Sequence, residues 1–235
     1  MTDLEQSLTL LWAERTRGRR GPRPKLTVEG IAQAAVRVAD ADGLDAVSMQ
    51  RVAAELGYST MSLYNHIPSK DLLLEVAVDV GAGRPPELDP DFRTGVTQWV
   101  EALWAGFQTR PWILRVPFDH APVGPNQLAW LDRLLRPLLS VGLVGSEARA
   151  AALHLTAVVR GIAQINADMA TAHTEAELAR TLADLINPDD YPALAAVHAA
   201  EAASATPHAD RPAPPPELLF GVARFLDGVE AWARK

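Results

Sequence analysis

Between residues 27 and 73 the chain is punctuated at short intervals by helix-starting hydroxyls and helix-ending glycines. Thr27 stands ahead of an apolar stripe of Ile31, Ala34, Ala35, Val38 and Ala39 that runs on to Asp42, and Gly43 follows. Ser48 stands ahead of Met49, Val52, Ala53 and Leu56, and Gly57 follows. Ser59 or Thr60 opens a third run that must stop before Pro68, and Ser69 opens a fourth with Leu72, Leu73, Val76 and Val80 inside. A small hydroxyl side chain accepts from a free amide of the first helical turn, and glycine takes the left-handed conformation that ends a helix. Apolar spacings of three and four residues then predict helices. The second and third are short and joined by "LGYS", which predicts a helix-turn-helix with Ala53, Leu56 and Leu63 packed between them.

The rest of the chain is also helical in pattern, so the expected fold class is all-α. "GAGRPPELDPD" at 81–91 is turn-rich and marks a boundary. Helices are expected at 91–109, 111–117, 124–142, 146–172, 174–186, 191–204 and 216–233. "TEAE" at Thr174–Glu177 has the form of a capping box. "SATPHADRPAPPP" at 204–216 cannot hold a helix and reads as a mobile loop. Three parts result: a basic N-terminal arm (1–24), a helix-turn-helix domain (25–80) and a helical C-terminal domain (91–235).

Composition narrows the chemistry. No cysteine is present, which excludes a disulfide framework or a thiolate metal site and fits a reducing cytoplasm. No long uncharged apolar run predicts a membrane span. The formal charge of −7 argues against a general polyanion binder. Yet Arg15, Arg17, Arg19, Arg20, Arg23 and Lys25 follow one another with no acid among them, which suits local contact with an anion such as DNA.

On a helical wheel, Leu63 and Ile67 fall on the core side of the third helix. Met61, Tyr64 and Asn65 point away, with Ser62 at the margin and Thr60 at the exposed start. That face matches a DNA major groove. An amide can bond adenine through two atoms, a hydroxyl can reach a base or a phosphate, and an apolar chain can touch a thymine methyl. Tyr64, His66 and Lys70 can reach phosphates, Lys70 from a helix start where free amides also favour an anion.

The stretch "GLDAVSMQRVAAELGYSTMSLYNHIPSKDLLLEVAVD" (43–79), with "IAQAAVRVADADG" before it, closely resembles the DNA-binding domain of the tetracycline-repressor-like (TetR) transcriptional regulators. The resemblance covers about residues 25–80. It implies that Thr60, Met61, Ser62, Tyr64 and Asn65 hold recognition-helix positions. It implies that His66 and Lys70 contact the backbone, and that Ser48 and Gln50 are further candidates. Ile67 stands where many relatives have an aromatic residue or valine, a departure that leaves its core role intact. "WAERTRGRRGPRPKL" looks like the N-terminal extension of one branch of the family, whose arm can reach DNA, with Arg19, Arg20 and Arg23 as the contacts expected here. The resemblance further implies a helical second domain that binds a small ligand and dimerises, with double-stranded operator DNA as partner and no cofactor or metal.

The second domain carries Trp99, Trp104, Trp112, Trp130 and Trp232, every phenylalanine, and a few polar residues on apolar helices. A ligand pocket needs that mixture. Trp104, Phe107 and His154 are the leading lining candidates, followed by Arg160, Asn166, Trp130 and Phe118. The stretches 146–172 and 216–233 are rich in small and aliphatic residues, as a dimer interface requires. Catalysis is the rival class. His66, His120, His154, His173, His198 and His208 are scattered, without a zinc-binding histidine pair, a glycine-rich phosphate loop or a nucleophile elbow. A pure interaction module would need neither the basic arm nor the polar recognition face. The expectation is a ligand-responsive transcriptional repressor, cytoplasmic, acting as a homodimer on a palindromic operator and modulated by a small, largely apolar effector.

Overall fold

The computed structural model describes residues 3–16, 26–117, 121–169, 187–203 and 213–234. Among them the regular structure is helical: α1 (Asp3–Thr16), α2 (Val28–Asp42), α3 (Met49–Leu56), α4 (Thr60–Tyr64), α5 (Lys70–Ala82), α6 (Phe92–Thr109), α7 (Pro125–Ser140), α8 (Gly145–Met169), α9 (Pro192–Ala203) and α10 (Pro216–Ala233). Short 3-10 turns cover Leu44–Ala46 and Pro111–Arg115.

The expected caps form. Thr27, Ser48, Ser59 and Ser69 accept from the backbone amides of Gly30, Arg51, Ser62 and Leu72. Gly57 is left-handed, with φ 72°, and its N–H closes onto α3. The expected stripes also turn inward: Ile31, Ala34, Ala35, Val38, Val52, Ala53, Leu63, Ile67, Leu72, Leu73 and Val76 are buried. α2 packs on α5 and α3, and α3 on α4, giving a compact head.

Three elements differ from the expectation. α4 is only five residues long and unwinds at Asn65, its C-cap. Pro68 disfavours helical geometry at Ile67, so the chain turns there and Ile67 folds back into the core. The run expected as a helix at 111–117 is a 3-10 turn with Pro111 at its start. Residues 3–16, counted as part of an arm, form a helix that packs on α5. Leu11 joins Ala32 and Val76 in one apolar cluster, flanked by Trp12, Val28, Val80 and Val123. The basic residues Arg17 to Lys25, the helix expected at 174–186 with its capping box, and most of the loop expected at 204–216 lie outside the described residues.

The chain forms two compact units, one of residues 1–163 and 213–235, the other of residues 164–212. The first holds the head and most of the C-terminal helices. In the second, Asn187 makes a side-chain turn, accepting from Asp189 N at 3.1 Å and donating to Asp190 at 3.0 Å, just ahead of α9.

Candidate nucleic-acid interface and effector body

The α3–turn–α4 pair presents one coherent face. Leu63 and Ile67 are fully buried, so the opposite side of α4 must look outward. Met61, 69% exposed, Tyr64 and Asn65 lie on that outer side. Thr60 and Ser62 are half-buried at its margin, and Ser62 Oγ lies 2.8 Å from Ser59 Oγ. His66 is half-buried, with Nδ1 at 3.0 Å from the Ser62 carbonyl. A carbonyl can only accept, so that nitrogen carries the proton. Lys70 is the exposed first residue of α5. Ser48 uses its hydroxyl oxygen as the α3 cap, and Gln50 is exposed one turn position beyond Met49. Arg19, Arg20 and Arg23 lie outside the described residues. Tyr58, which sequence reasoning passed over, is exposed in the turn beside Ser59. Its signal was its place in a loop that a short helix-turn-helix has to display.

α5 ties this head to the helices behind it. Asp79 is 3% exposed, and its carboxylate caps α7 from outside that helix. It accepts from Asn126 N at 3.0 Å and Gln127 N at 2.9 Å, and the Asn126 side chain donates to it at 3.2 Å. Gly124 is required there, because a Cβ would stand 2.1 Å from Asp79 Oδ1. Trp12 of α1 donates to the Val123 carbonyl at 3.0 Å, so α1 and α5 hold the same end of α7. A second junction lies at the end of α2. Asp40 accepts from Trp112 Nε1 at 2.7 Å and from Arg110 Nε, while Arg110 also donates to the Gly81 carbonyl at 3.0 Å. Arg115 pairs with Asp45 in the loop that follows α2.

Behind these junctions the expected pocket residues separate. Trp104 and Phe107 share the buried face of α6. Trp130 is half-buried, crosses Trp99 edge-to-face at 6.0 Å and donates to the Gly83 carbonyl at 3.0 Å. Arg160 of α8 is half-buried and donates to the Leu114 carbonyl at 2.9 Å, and burial lowers its pKa. His154 is at the surface rather than on the buried face, stacked on Phe225 of α10 with centroids 4.7 Å apart. Asn166 is exposed and belongs to the second unit, and Phe118 lies outside the described residues. Among the described residues no group of three acidic or histidine side chains could hold a metal, and no helix is long and apolar enough to cross a membrane.

Two family models match the chain. Residues 31–77 match that described as bacterial regulatory proteins, tetR family, and residues 85–232 match a tetracyclin repressor-like C-terminal domain. The chain is 32% identical over 242 residues to the HTH-type transcriptional repressor DrrR1 of Streptomyces coeruleorubidus, covering 97% of this chain and 86% of that protein. It is 30% identical over 195 residues to an HTH-type transcriptional regulator of Saccharopolyspora erythraea, covering 80% and 82%. Among solved structures, apo ActR from Streptomyces coelicolor superposes with a TM-score of 0.73 at 26% identity, covering 90% of this chain and 98% of that one. ActR in complex with actinorhodin has the same fold, with a TM-score of 0.71 at 24% identity, covering 92% and 100%.

Proposed function

The chain belongs to the tetR family of bacterial regulatory proteins and is a DNA-binding transcriptional regulator, and on that premise we propose that it works as a homodimeric repressor whose hold on a palindromic operator is set by a small, largely apolar effector. The observation that carries this reading is α5. Its first residue, Lys70, borders the recognition helix, and near its other end the buried Asp79 grips α7. A ligand packed against α6 and α7 would therefore act on the element that carries the reading head.

The remaining terms have separate support. A single helix-turn-helix covers too little DNA for tight specific binding, and a two-fold protein pairs with a two-fold site. α8 and α10 offer large apolar side chains to solvent, Leu153 at 71%, Phe220 at 69% and Trp232 at 56% exposure, as subunit-pairing helices do. The direction of control follows the relative named a repressor. An effector role for the body follows the related protein solved with actinorhodin.

Coupling requires only that the effector prefer one spacing of the two heads. Recognition helices must reach successive major grooves about 34–36 Å apart, so a tilt of α5 changes affinity. A coupling of about 1–3 kcal/mol shifts operator binding by roughly 5–150-fold. The test begins by selecting an operator from random duplexes with the full chain. Two chains per duplex, inverted half-sites and an affinity that a small molecule changes while being recovered intact are expected. A single chain on an asymmetric site would refute the dimeric reading. Operator affinity unmoved across a broad compound screen would refute the effector reading and leave the DNA-binding half standing.

A further inference from the structure

The six tryptophans treat their indole N–H groups unequally. Trp12 donates to Val123 O at 3.0 Å, Trp99 to Trp130 O at 3.0 Å, Trp112 to Asp40 at 2.7 Å, Trp130 to Gly83 O at 3.0 Å and Trp232 to Glu147 at 2.9 Å. Trp232, more than half exposed, could have used water and still finds a carboxylate. Trp104 is 2% exposed, and its Nε1–H has no hydrogen-bond partner among the described residues. A buried indole normally finds an acceptor, because an unpaired donor out of water is destabilising.

The surroundings limit what could accept. The buried face of α6 is made of Phe92, Gly95, Val96, Trp99, Val100, Trp104 and Phe107, and the Trp99 N–H is already engaged. Among the residues of that α6 face, Trp104 therefore carries the one indole N–H left unengaged. A lone buried water needs two to four polar partners, and the side chains of the α6 face offer it this one N–H. An ammonium group would set donor against donor. A carboxylate would lose its hydration for a single neutral N–H, which does not compensate it. A neutral oxygen on an apolar skeleton fits both the donor and the face.

Building on the effector reading above, we propose that the effector is a neutral, largely apolar molecule with a carbonyl-type oxygen, and that this oxygen accepts from Trp104 Nε1–H. Trp104 then sets specificity. The apolar face supplies affinity for any skeleton of suitable shape, and the indole selects those carrying an acceptor. A site built to bond a polar group discriminates more sharply than an apolar wall, because the wrong ligand leaves that group unpaired.

The experiment uses the full chain with 9-fluorenone and fluorene, which share a ring skeleton and differ by the carbonyl. Trp104 is replaced by 3-benzothienylalanine, which keeps the bicyclic ring and puts sulfur in place of N–H; Trp104→Phe is the second variant. Binding is read by calorimetry. The wild type is expected to hold fluorenone about tenfold more tightly than fluorene, the factor for one hydrogen bond to a buried donor. In both variants that preference should collapse to within about twofold, since the indole N–H proposed to select the acceptor is gone. Equal binding of the two probes by the wild type, or an unchanged preference in the variants, overturns the Trp104 anchor and leaves the effector reading intact. If neither probe binds the wild type, the Trp104 anchor is overturned, and the effector reading is decided by the operator-affinity screen alone.

Discussion

In the reading head, residues 26–82, the large apolar or aromatic side chains left exposed are Tyr58, Met61 and Tyr64, all on or beside α4. In the body of the same unit they are spread instead: Leu128, Leu131 and Leu139 on α7, Val144 just ahead of α8, Leu153 on α8, Phe220 and Trp232 on α10. The head confines its exposure to one short helix edged with hydroxyls and an amide, which suits a wet, polar groove with an occasional thymine methyl. The body's exposed apolar residues lie on several helices, and some have charged neighbours, Arg224 over the Phe220 ring and Glu147 on the Trp232 N–H. The difference separates a head whose exposed side chains gather at one polar-edged helix from a body whose exposed apolar side chains are spread over several helices.

Breaking the body's side of that comparison should give the largest effect. Leu153→Arg combined with Phe220→Arg is expected to yield monomers in sedimentation and to weaken operator binding on the order of 100-fold or more, because one half-site is lost. Leu131→Arg on α7 serves as the matched control and should remain dimeric. Dimers surviving the double substitution, or lost in the control, would move the pairing face from α8 and α10 to α7.

On the head's side, base reading and charge should separate. Asn65→Ala and Met61→Ala should each alter preference at particular operator positions by about 1–3 kcal/mol. Lys70→Ala should weaken all sequences alike and flatten the salt dependence by about one unit. Replacing Arg19, Arg20 and Arg23 by Gln should weaken binding more at low salt than at high salt. Substitution is the cleaner test here, because deleting residues 1–24 would also remove α1 and its packing on α5. An Asn65→Ala protein weakened equally on every sequence would place Asn65 among the backbone contacts.

The smallest effect sharpens how the body is held. Arg93 of α6 donates to Glu230 at 2.7 Å and Asp227 at 2.6 Å on α10. Those hydrogen bonds hold both carboxyls below their ordinary values of 4.5 and 3.8. A depressed carboxyl contributes stability above its unfolded pKa and loses it as pH falls through the folded value. The clasp should therefore help at neutral pH and fade below about pH 4. The melting-temperature gap between wild type and Arg93→Ala is expected to be small, since the groups are partly exposed, and to close in acid. A gap that widens in acid would mean Arg93 acts through packing alone.

The sequence by itself determined the head. Its hydroxyl caps, its left-handed Gly57 and its three-and-four stripes act over one or two turns, so they are legible residue by residue, and the outward placing of Met61, Tyr64 and Asn65 followed from burying Leu63 and Ile67. The long C-terminal helices were readable for the same reason. What only the tertiary structure decided depends on partners far along the chain. α1 has no clean stripe of its own, and its Leu11 and Trp12 pack on Ala32, Val76, Val80 and Val123. Asp79 looks in sequence like one more helical acid, yet it caps a helix 47 residues away. His154 read as a pocket residue because an imidazole on an apolar helix can face either way, and only α10, with Phe225, settled that it stacks at the surface. Whether a buried indole finds an acceptor is likewise invisible to spacing: Trp99 meets a carbonyl on α7, and Trp104, five residues on, meets none among the described residues.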